Sequence, residues 1–242
     1  MKAERGKQKM RHKISALAAA MLLSAVCTTS CLDADKNKKD KEPQPTTAPV
    51  TAEPVTDESG EEISESMELM RIKFQDVPAA ESGPVIKISN SEAKPGEIAE
   101  VKVSVTGADN MWNMCGIHIT YPDVLECQLL DAEELTADYE LGEATKKNSG
   151  FVAMDWQKNL PDELIREKKR SVFFTTLFKE NGGKDGDIAT FFFKVPSDAQ
   201  PGTVYKLGYY YMDSDMFRNY ENDMSFEKYA FEHLENGSIT VR

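Results

Sequence analysis

Few side chains in this 242-residue chain are spaced in a way that supports catalysis or metal binding. Beyond the N-terminal leader it has two histidines, His118 and His233, and nothing groups either one with Cys, Asp or Glu at metal-ligand spacing. The sequence has no C-x-x-C pair, no G-x-S-x-G elbow and no phosphate-binding loop. We therefore expect no metal site, no cofactor and no enzyme activity.

Paired carboxylates are the remaining route to chemistry, since glycoside hydrolysis needs two of them in a cleft, one with a raised pKa. The chain has 41 acidic residues, which supply many pairs without singling one out. We expect Glu133-Glu134 and Asp162-Glu163 to lie on exposed loops. The oxygen-rich loop from Asp213 to Asp223 could hold calcium or be an ordinary solvated loop, and we favour the second.

The N-terminus has the pattern of an export signal. A basic region precedes Ile14 to Val26, a mostly apolar run that is shorter than the roughly 20 residues needed to span a bilayer. Cys31 follows three small residues, whereas Cys27 follows Val26, so we predict a lipoprotein signal over residues 1–31 with Cys31 lipidated. The alternative is a cleaved signal and a secreted protein. Either way, the protein is predicted to be exported, to the outer face of a bacterial membrane or beyond it.

The net charge of −12 argues against nucleic acid as a partner, because its phosphates require Lys and Arg. Loss of the leader would remove six basic residues and one acidic residue, which makes the mature chain still more acidic. Membrane contact is expected only through the lipid on Cys31.

Cys115 and Cys127 sit at apolar positions and are best interpreted as two buried thiols, although an exported protein could join them in a disulfide.

Composition divides the rest of the chain into a linker and a domain. Residues 32–82 are rich in Pro, Thr, Lys and Glu, and such a segment buries too little apolar surface to fold alone. Within it, Ile63 to Phe74 has apolar residues at helical spacing and is either a short helix or part of the boundary. Residues 83–242 are long enough for one domain with a sizeable core.

Strand signals recur through this domain. Val101, Val103 and Val105 alternate with polar residues, a period of two that buries one face of a strand. Nine strands with Gly and Pro turns predict an all-β sandwich, with the topology of a jelly roll. The predicted strands are Val85–Ser89, Ile98–Thr106, Met114–Tyr121, Leu125–Asp131, Phe151–Gln157, Ser171–Lys179, Ile188–Val195, Tyr205–Met212 and Ser238–Val241.

Four segments of the domain occur in the order of one known family. The fullest is Gly183 to Leu207, GKDGDIATFFFKVPSDAQPGTVYKL, in which a Gly turn, an aromatic strand, a Pro stop and a second turn follow each other. KPGE at 94–97, YPDVLE at 121–126 and NGSITV at 236–241 are the others. Together they resemble the cohesin domain family over about 160 residues.

The resemblance implies a binding function without catalysis. Cohesins dock dockerins, small calcium-loaded helical modules carried by enzymes that degrade plant cell walls, and they do so through one flat face of a sheet. In this chain, the resemblance implies that outward residues of the third strand, together with residues of the fifth and sixth strands, contact the partner. The implied contact residues are Met114, Gly116, His118, Thr120, Met154, Trp156 and Glu180.

Two of these positions depart from the family, which usually has Asn and Asp where Met114 and Gly116 stand. The departure implies a more apolar interface or a different partner. Trp156 would be an interface anchor or a core residue, depending on the parity of its strand. His118 would be a pH-sensitive contact at the rim or simply a strand residue facing solvent. Glu180 would pair with a basic dockerin residue or remain an ordinary surface carboxylate.

A carbohydrate-binding module is the alternative function, because related jelly rolls bind polysaccharides through strips of aromatic rings. Trp112, Trp156 and the run Tyr209-Tyr210-Tyr211 motivate it. However, strand alternation puts Tyr209 and Tyr211 on one face and Tyr210 on the other, so the run does not form a three-ring strip. The sequence therefore favours a protein-binding module.

Overall fold

The computed structural model describes residues 64–157 and 160–242, so the predicted signal, Cys31 and most of the predicted linker lie outside the described residues. The helices are α1 (Glu65–Phe74), α2 (Asp162–Arg166) and α3 (Met224–Glu232). The strands are β1 (Val85–Ile88), β2 (Asn90–Ala93), β3 (Ile98–Thr106), β4 (Met114–Pro122), β5 (Glu126–Cys127), β6 (Leu129–Asp131), β7 (Thr136–Ala137), β8 (Tyr139–Leu141), β9 (Gly150–Trp156), β10 (Lys169–Leu177), β11 (Gly186–Lys194), β12 (Val204–Tyr209), β13 (Met216–Arg218) and β14 (Gly237–Val241). Of the helices described, none has the length and apolar character needed to cross a membrane.

The strands form two sheets. The first has the order β1-β3-β11-β5, with β8 also paired to β11. The second has the order β2-β14-β12-β4-β10-β9-β7-β6, and β13 pairs with β4 next to the end of β12. Strands β14 and β2 run parallel, and the other pairs are antiparallel. The fold is a β-sandwich, as the sequence predicts.

The period of two in the sequence gives the buried faces directly. On β3, Val101, Val103 and Val105 are completely buried while Lys102 faces solvent. Each of the nine predicted strands is present, although Leu125–Asp131 is divided into β5 and β6. The strands that the prediction lacks, β2, β7, β8 and β13, have two to four residues each, too few to show a period.

The segment Gly183 to Leu207 folds as its residue types require. Gly186 has φ 122° and Gly202 has φ 86°, in the region of positive φ that a side chain disfavours. Between these glycines, β11 runs antiparallel to β3 and ends just before Val195 and Pro196. This strand is therefore central to the first sheet.

The core lies between the two sheets and is rich in aromatic rings. Phe174 of β10 meets Phe191 of β11 with ring centroids 5.5 Å apart, and Tyr121 of β4 meets Phe193 of β11 at 4.9 Å. Cys115 on β4 is fully buried in the same layer, and Cys115 and Cys127 are free thiols. The interpretation of both cysteines as small core residues agrees with this packing.

Helix α1 extends the folded part of the chain beyond the predicted start at Gly83. Its N-terminus is capped by Ser64, and Phe74 at its last turn is 2% exposed against the rings of Tyr211 and Phe231. The Ser66 hydroxyl accepts a hydrogen bond of 2.6 Å from the backbone N–H of Tyr211. The helical spacing in Ile63 to Phe74 thus belongs to the domain, and the linker assignment is wrong for this helix.

A buried carboxylate ties α1 to α3. Glu227 on α3 is inaccessible to solvent, and its two oxygens bind Lys73 at 2.5 Å and Arg218 at 2.7 Å. The Lys73 ammonium also donates to the backbone carbonyl of Asp215 at 3.4 Å. A buried charge is tolerated when it is paired in this way, and losing either cation would leave it uncompensated.

Candidate functional site

Strands β9, β10 and β4 lie side by side in the second sheet and carry the residues expected to contact a partner. Met154 of β9 is opposite Phe173 of β10, which in turn is opposite His118 of β4. On β4, Cys115 and Ile117 point into the sandwich, so the alternate residues point out of it. The outward parity of β4 is the one that the family resemblance implies.

Exposure on β4 differs from the prediction, because three of its four outward residues are covered. Gly116 is buried, with Phe173 and Met216 of β13 beside its missing side chain. Thr120 is 4% exposed, between Ser171 and Gly208 in the ladder. The short strand β13, which the sequence did not reveal, provides part of this cover.

His118 is also buried, at 1% exposure, and the expectation that it faces solvent or a rim is wrong. Its ring lies against Phe173 at 4.5 Å and Trp156 at 4.8 Å between centroids. On its other side, Nδ1 is 2.5 Å from Oδ1 of Asp215, which is itself inaccessible to solvent. Contacts from two neighbouring strands and from the loop after β12 thus enclose the imidazole.

Trp156 lies on the outer face with His118 and does not pack in the core between the sheets. The residues before it on β9 that point inward are Ala153 and Asp155, both buried. Met154 is 45% exposed, and Trp156 is half-buried. Met154 and Trp156 are therefore the accessible members of the predicted contact set on β9.

An apolar groove of about 480 Å³ opens on this face. Its floor and walls come from β4, β9 and β10, with one residue from the loop before β7 and one from the loop after β12. The lining residues are His118, Leu135, Met154, Asp155, Trp156, Gln157, Phe173 and Ser214. The groove brings together three of the predicted contact residues, His118, Met154 and Trp156.

Glu180 lies elsewhere, exposed in the turn after β10. It lines a separate depression with Asn181, Tyr220 and Glu221. Met114 is half-buried at the start of β4, opposite Leu177 and Arg218. The predicted contact residues therefore divide between the groove, the covered part of β4 and this outlying turn.

Beneath the groove, Asp155 points into the protein and accepts a hydrogen bond from the buried hydroxyl of Tyr121. Its second oxygen accepts from the side chain of Gln157 at 2.5 Å. Burial, followed by the nearby charge of Asp155, raises the pKa of the Tyr121 phenol. Asp155 is 2% exposed, so the pair supports β9 against β4.

The loop residue Asp215 supplies the buried carboxylate that binds His118 behind the groove. Its Oδ2 accepts a hydrogen bond from the backbone N–H of Met212 at 3.3 Å, which holds the loop against β4. Burial raises the pKa of Asp215, and the hydrogen bond and charge of His118 oppose that rise.

Sequence reasoning missed six residues of the site: Leu135, Asp155, Gln157, Phe173, Ser214 and Asp215. The alternation of β10 could have placed Phe173 beside His118, since both point out of the sandwich. No local pattern marks Asp215, which is 97 residues from His118 in the chain. The predicted loop Asp213 to Asp223 contains it, but the buried contact depends on the fold.

The other candidate groups do not gather into a chemical site. Glu163 is buried and its carboxylate accepts a hydrogen bond from the backbone N–H of Glu65, so the expectation that this pair lies on an exposed loop is wrong for Glu163. Glu133 and Glu134 are exposed, as predicted. Across residues 64–157 and 160–242, no three His, Cys, Asp or Glu side chains are grouped closely enough to hold a metal ion.

The rings that motivated carbohydrate binding are mostly inside the protein. Trp112 is completely buried between Phe178 and Phe217, and Tyr210 and Tyr211 are 5% and 0% exposed. The outer face thus presents Trp156 without a strip of neighbouring exposed rings from these residues.

Comparison with known proteins agrees with this architecture. A family model of the cohesin domain matches residues 84–210, whereas a search of curated proteins gave no match. Among solved structures, the chain resembles a type III cohesin module from the cellulosomal ScaE cell-surface anchoring scaffoldin of Ruminococcus flavefaciens, with 24% identity and a TM-score of 0.54, over 67% of this chain and 89% of that one. It also resembles a type I cohesin–dockerin complex from Clostridium thermocellum (17% identity, TM-score 0.47, 66% of this chain and 99% of that one) and a non-cellulosomal cohesin from the archaeon Archaeoglobus fulgidus (18%, 0.44, 66% and 92%). Since the family model covers more than half of the chain, this protein belongs to the cohesin domain family.

Proposed function

We propose that this domain is a dockerin-binding module, which captures enzymes or scaffold proteins that carry a dockerin for the degradation of plant polysaccharides. Membership of the cohesin family supports this role, and cohesin domains are protein-interaction modules without catalysis. The observation that carries the proposal is the apolar groove on the face of β4, β9 and β10.

The accessible side chains of the groove suit a protein interface. Met154 and Trp156 project from the outer face of β9, and large apolar and aromatic residues dominate the binding energy of protein interfaces. The neighbouring β4 residues Gly116 and His118 are enclosed. Met114 and Gly116 stand where the family usually has Asn and Asp, which supports a more apolar interface.

We further propose that the protein works at the outer surface of a bacterial cell, held by a lipid on Cys31. The basic and apolar leader with the small residues before Cys31 supports this location. Residues 32–63 would then separate the folded domain from the membrane. The partner module, and not this domain, would carry the calcium.

The proposed interface can be tested with one charged substitution and a matched control. Met154→Arg puts a charge beside the groove, and we expect it to weaken dockerin binding about tenfold or more, the scale of an interface hot spot. Ile98→Arg is the control, because Ile98 is similarly exposed, at 52% against 45%, but lies on β3 of the other sheet. Surface plasmon resonance against the calcium-loaded dockerins encoded in the same genome would measure both.

Neither substitution should move the melting temperature, because both side chains are already about half exposed. Equal loss of binding in the two variants, or none in Met154→Arg, would place the interface away from the groove. Failure of every dockerin to bind, together with retention of the protein on insoluble cellulose, would overturn the proposed function itself.

A further inference from the structure

We propose that the groove receives one tyrosine side chain from a basic surface of the partner, with its phenol hydroxyl bonded to Nε2 of His118. This inference rests on the proposed function for the identity of the partner as a dockerin module. The proposed hydrogen bond depends only on the groove, so it can be tested without a dockerin.

The Nε2 atom of His118 is a polar group of the groove without a partner among the residues that the structure describes. It is buried, and no hydrogen-bond partner from residues 64–157 or 160–242 lies near it. A buried polar atom left unpaired costs about 1–3 kcal/mol, so an occupant that pairs with it recovers part of this cost. Nδ1 is already bound to Asp215 at 2.5 Å, and the His118 ring lines the groove, so Nε2 is the ring nitrogen left without a hydrogen bond there.

Asp215 also fixes which nitrogen carries the proton of the neutral ring. An ionised carboxylate only accepts hydrogen bonds, so the proton of neutral His118 lies on Nδ1 and Nε2 presents a lone pair. The occupant must therefore donate a hydrogen bond to Nε2.

The walls of the groove select a ring. Phe173 and Trp156 flank His118, and Met154 and Leu135 complete an apolar lining of about 480 Å³. Aromatic rings and a methionine sulfur attract an inserted aromatic side chain beyond simple burial. The space and the lining fit an aromatic residue better than a small hydroxyl residue.

Tyrosine is the aromatic residue that meets both requirements. Phenylalanine has no polar atom, and the N–H of tryptophan lies on the side of its indole, whereas the hydroxyl of tyrosine lies at the tip of its ring. A tyrosine inserted end-on therefore donates to Nε2 while its ring contacts the apolar walls.

Charge next to the groove favours a basic surface around this tyrosine. Glu133 and Glu134 precede Leu135 in the chain, and Asp213 precedes Ser214, and all three are exposed. Leu135 and Ser214 line the groove, so these exposed carboxylates belong to residues within two positions of its lining. Basic residues beside the tyrosine would steer the partner to this face.

The test uses p-cresol, the side chain of tyrosine as a free molecule, and toluene, which lacks only the hydroxyl. Both are titrated into the ¹⁵N-labelled protein while the Nε2 resonance of His118 and the indole N–H of Trp156 are followed by NMR. We expect p-cresol to bind about fivefold more tightly than toluene, the effect of one hydrogen bond. Equal affinities, or shifts that avoid both residues, would overturn the inference.

The double variant His118→Phe/Asp215→Leu isolates the hydrogen bond. It replaces both buried polar groups with apolar ones, which leaves no uncompensated charge. We expect p-cresol to bind this variant no more tightly than toluene does, whereas a preference for p-cresol that persists would contradict the role of Nε2. Should the variant fail to fold, the comparison of the two ligands on the unaltered protein still decides.

The outcome is independent of the dockerin experiment. If dockerins bind but p-cresol shows no preference, the tyrosine inference fails and the proposed function stands. If p-cresol binds at His118 but no dockerin does, the groove is a tyrosine pocket for another class of partner and the proposed function fails.

Discussion

The buried pair of His118 and Asp215 sets the hydrogen-bonding character of the groove. The carboxylate lies on the loop after β12, and the backbone N–H of Met212 and the imidazole hold it in place. Because burial raises the pKa of Asp215, its ionised form depends on these contacts. A single loop residue thereby determines what a strand residue can offer to a ligand.

Two glycines near this region provide a matched pair of substitutions. A methyl group added at Gly116 would lie 3.6 Å from Phe173 and Met216, an ordinary contact, whereas one added at Gly183 would overlap the buried ring of Trp112. We expect Gly183→Ala to reduce the free energy of unfolding by about 1–3 kcal/mol or more, the cost of overpacking, and Gly116→Ala to change it by less than about 1 kcal/mol.

Urea denaturation followed by Trp fluorescence would measure both glycine variants. Equal destabilisation would mean that the loop around Gly183 can move away from Trp112. Gly116→Arg is a different case, because its long side chain must displace Phe173 or Met216. We expect it to lower stability as well as binding, since Gly116 is enclosed rather than open to solvent.

At the scale of elements, α1 and α3 contact the segment between β12 and β13, which is not paired in a sheet. Helix α1 contacts Tyr211 and the backbone of Asp215, and α3 supplies Glu227 to the same cluster. Helices α1 and α3 each begin with a side chain that accepts from the first turn, Ser64 for α1 and Asp223 for α3. Both residues occupy the N-cap position, but Ser64 has a neutral hydroxyl whereas Asp223 has a carboxylate that titrates.

This difference predicts a pH dependence. The hydrogen bond from Ser225 is the main cause that lowers the pKa of Asp223. A lowered carboxyl pKa stabilises the fold at pH above the unfolded value and loses that contribution as pH falls through the folded value. We expect Asp223→Ala to cost about 1 kcal/mol at pH 7 and progressively less below about pH 4.

Ser64→Ala is the matched control, because its cap does not titrate. It should cost about 1 kcal/mol at both pH 7 and pH 3. Urea midpoints of the two variants against the unaltered protein at each pH would give the comparison. A penalty for Asp223→Ala that stays constant with pH would mean that its charge does not contribute to the cap.

At the scale of the whole molecule, the sequence predicts strands and their buried faces where a short period repeats. It does not predict burial that depends on contacts between distant segments. The alternation of Val101, Val103 and Val105 was enough to predict β3 and its buried face. The family resemblance gave the outward parity of His118. It could not give the burial of His118, because the cover comes from Trp156, Phe173 and Asp215, each on another segment.

The boundaries of the domain follow the same logic. Helical spacing before Phe74 was visible, but the residues that hold this helix are Tyr211, Glu227 and Phe231, far along the chain. Composition therefore assigned it to the linker. The family match, over residues 84–210, also leaves out α1 and Asp215, so the helix and the carboxylate that binds His118 both lie outside the matched residues.

The position of α1 has a mechanical consequence. A pulling force applied through residues before Ser64 reaches α1 before any strand, and α1 is fastened to the segment that carries Asp215. In single-molecule stretching from the N-terminal side, we expect a first step of about 20 Å as this helix unravels, ahead of rupture of the sandwich. Ser66→Ala should lower the force of that first step alone. A single step in which α1 and the sheets unfold together would contradict this expectation. Tension on the N-terminal segment would thus reach the loop that carries Asp215, the partner of His118, before it reaches the core between the sheets.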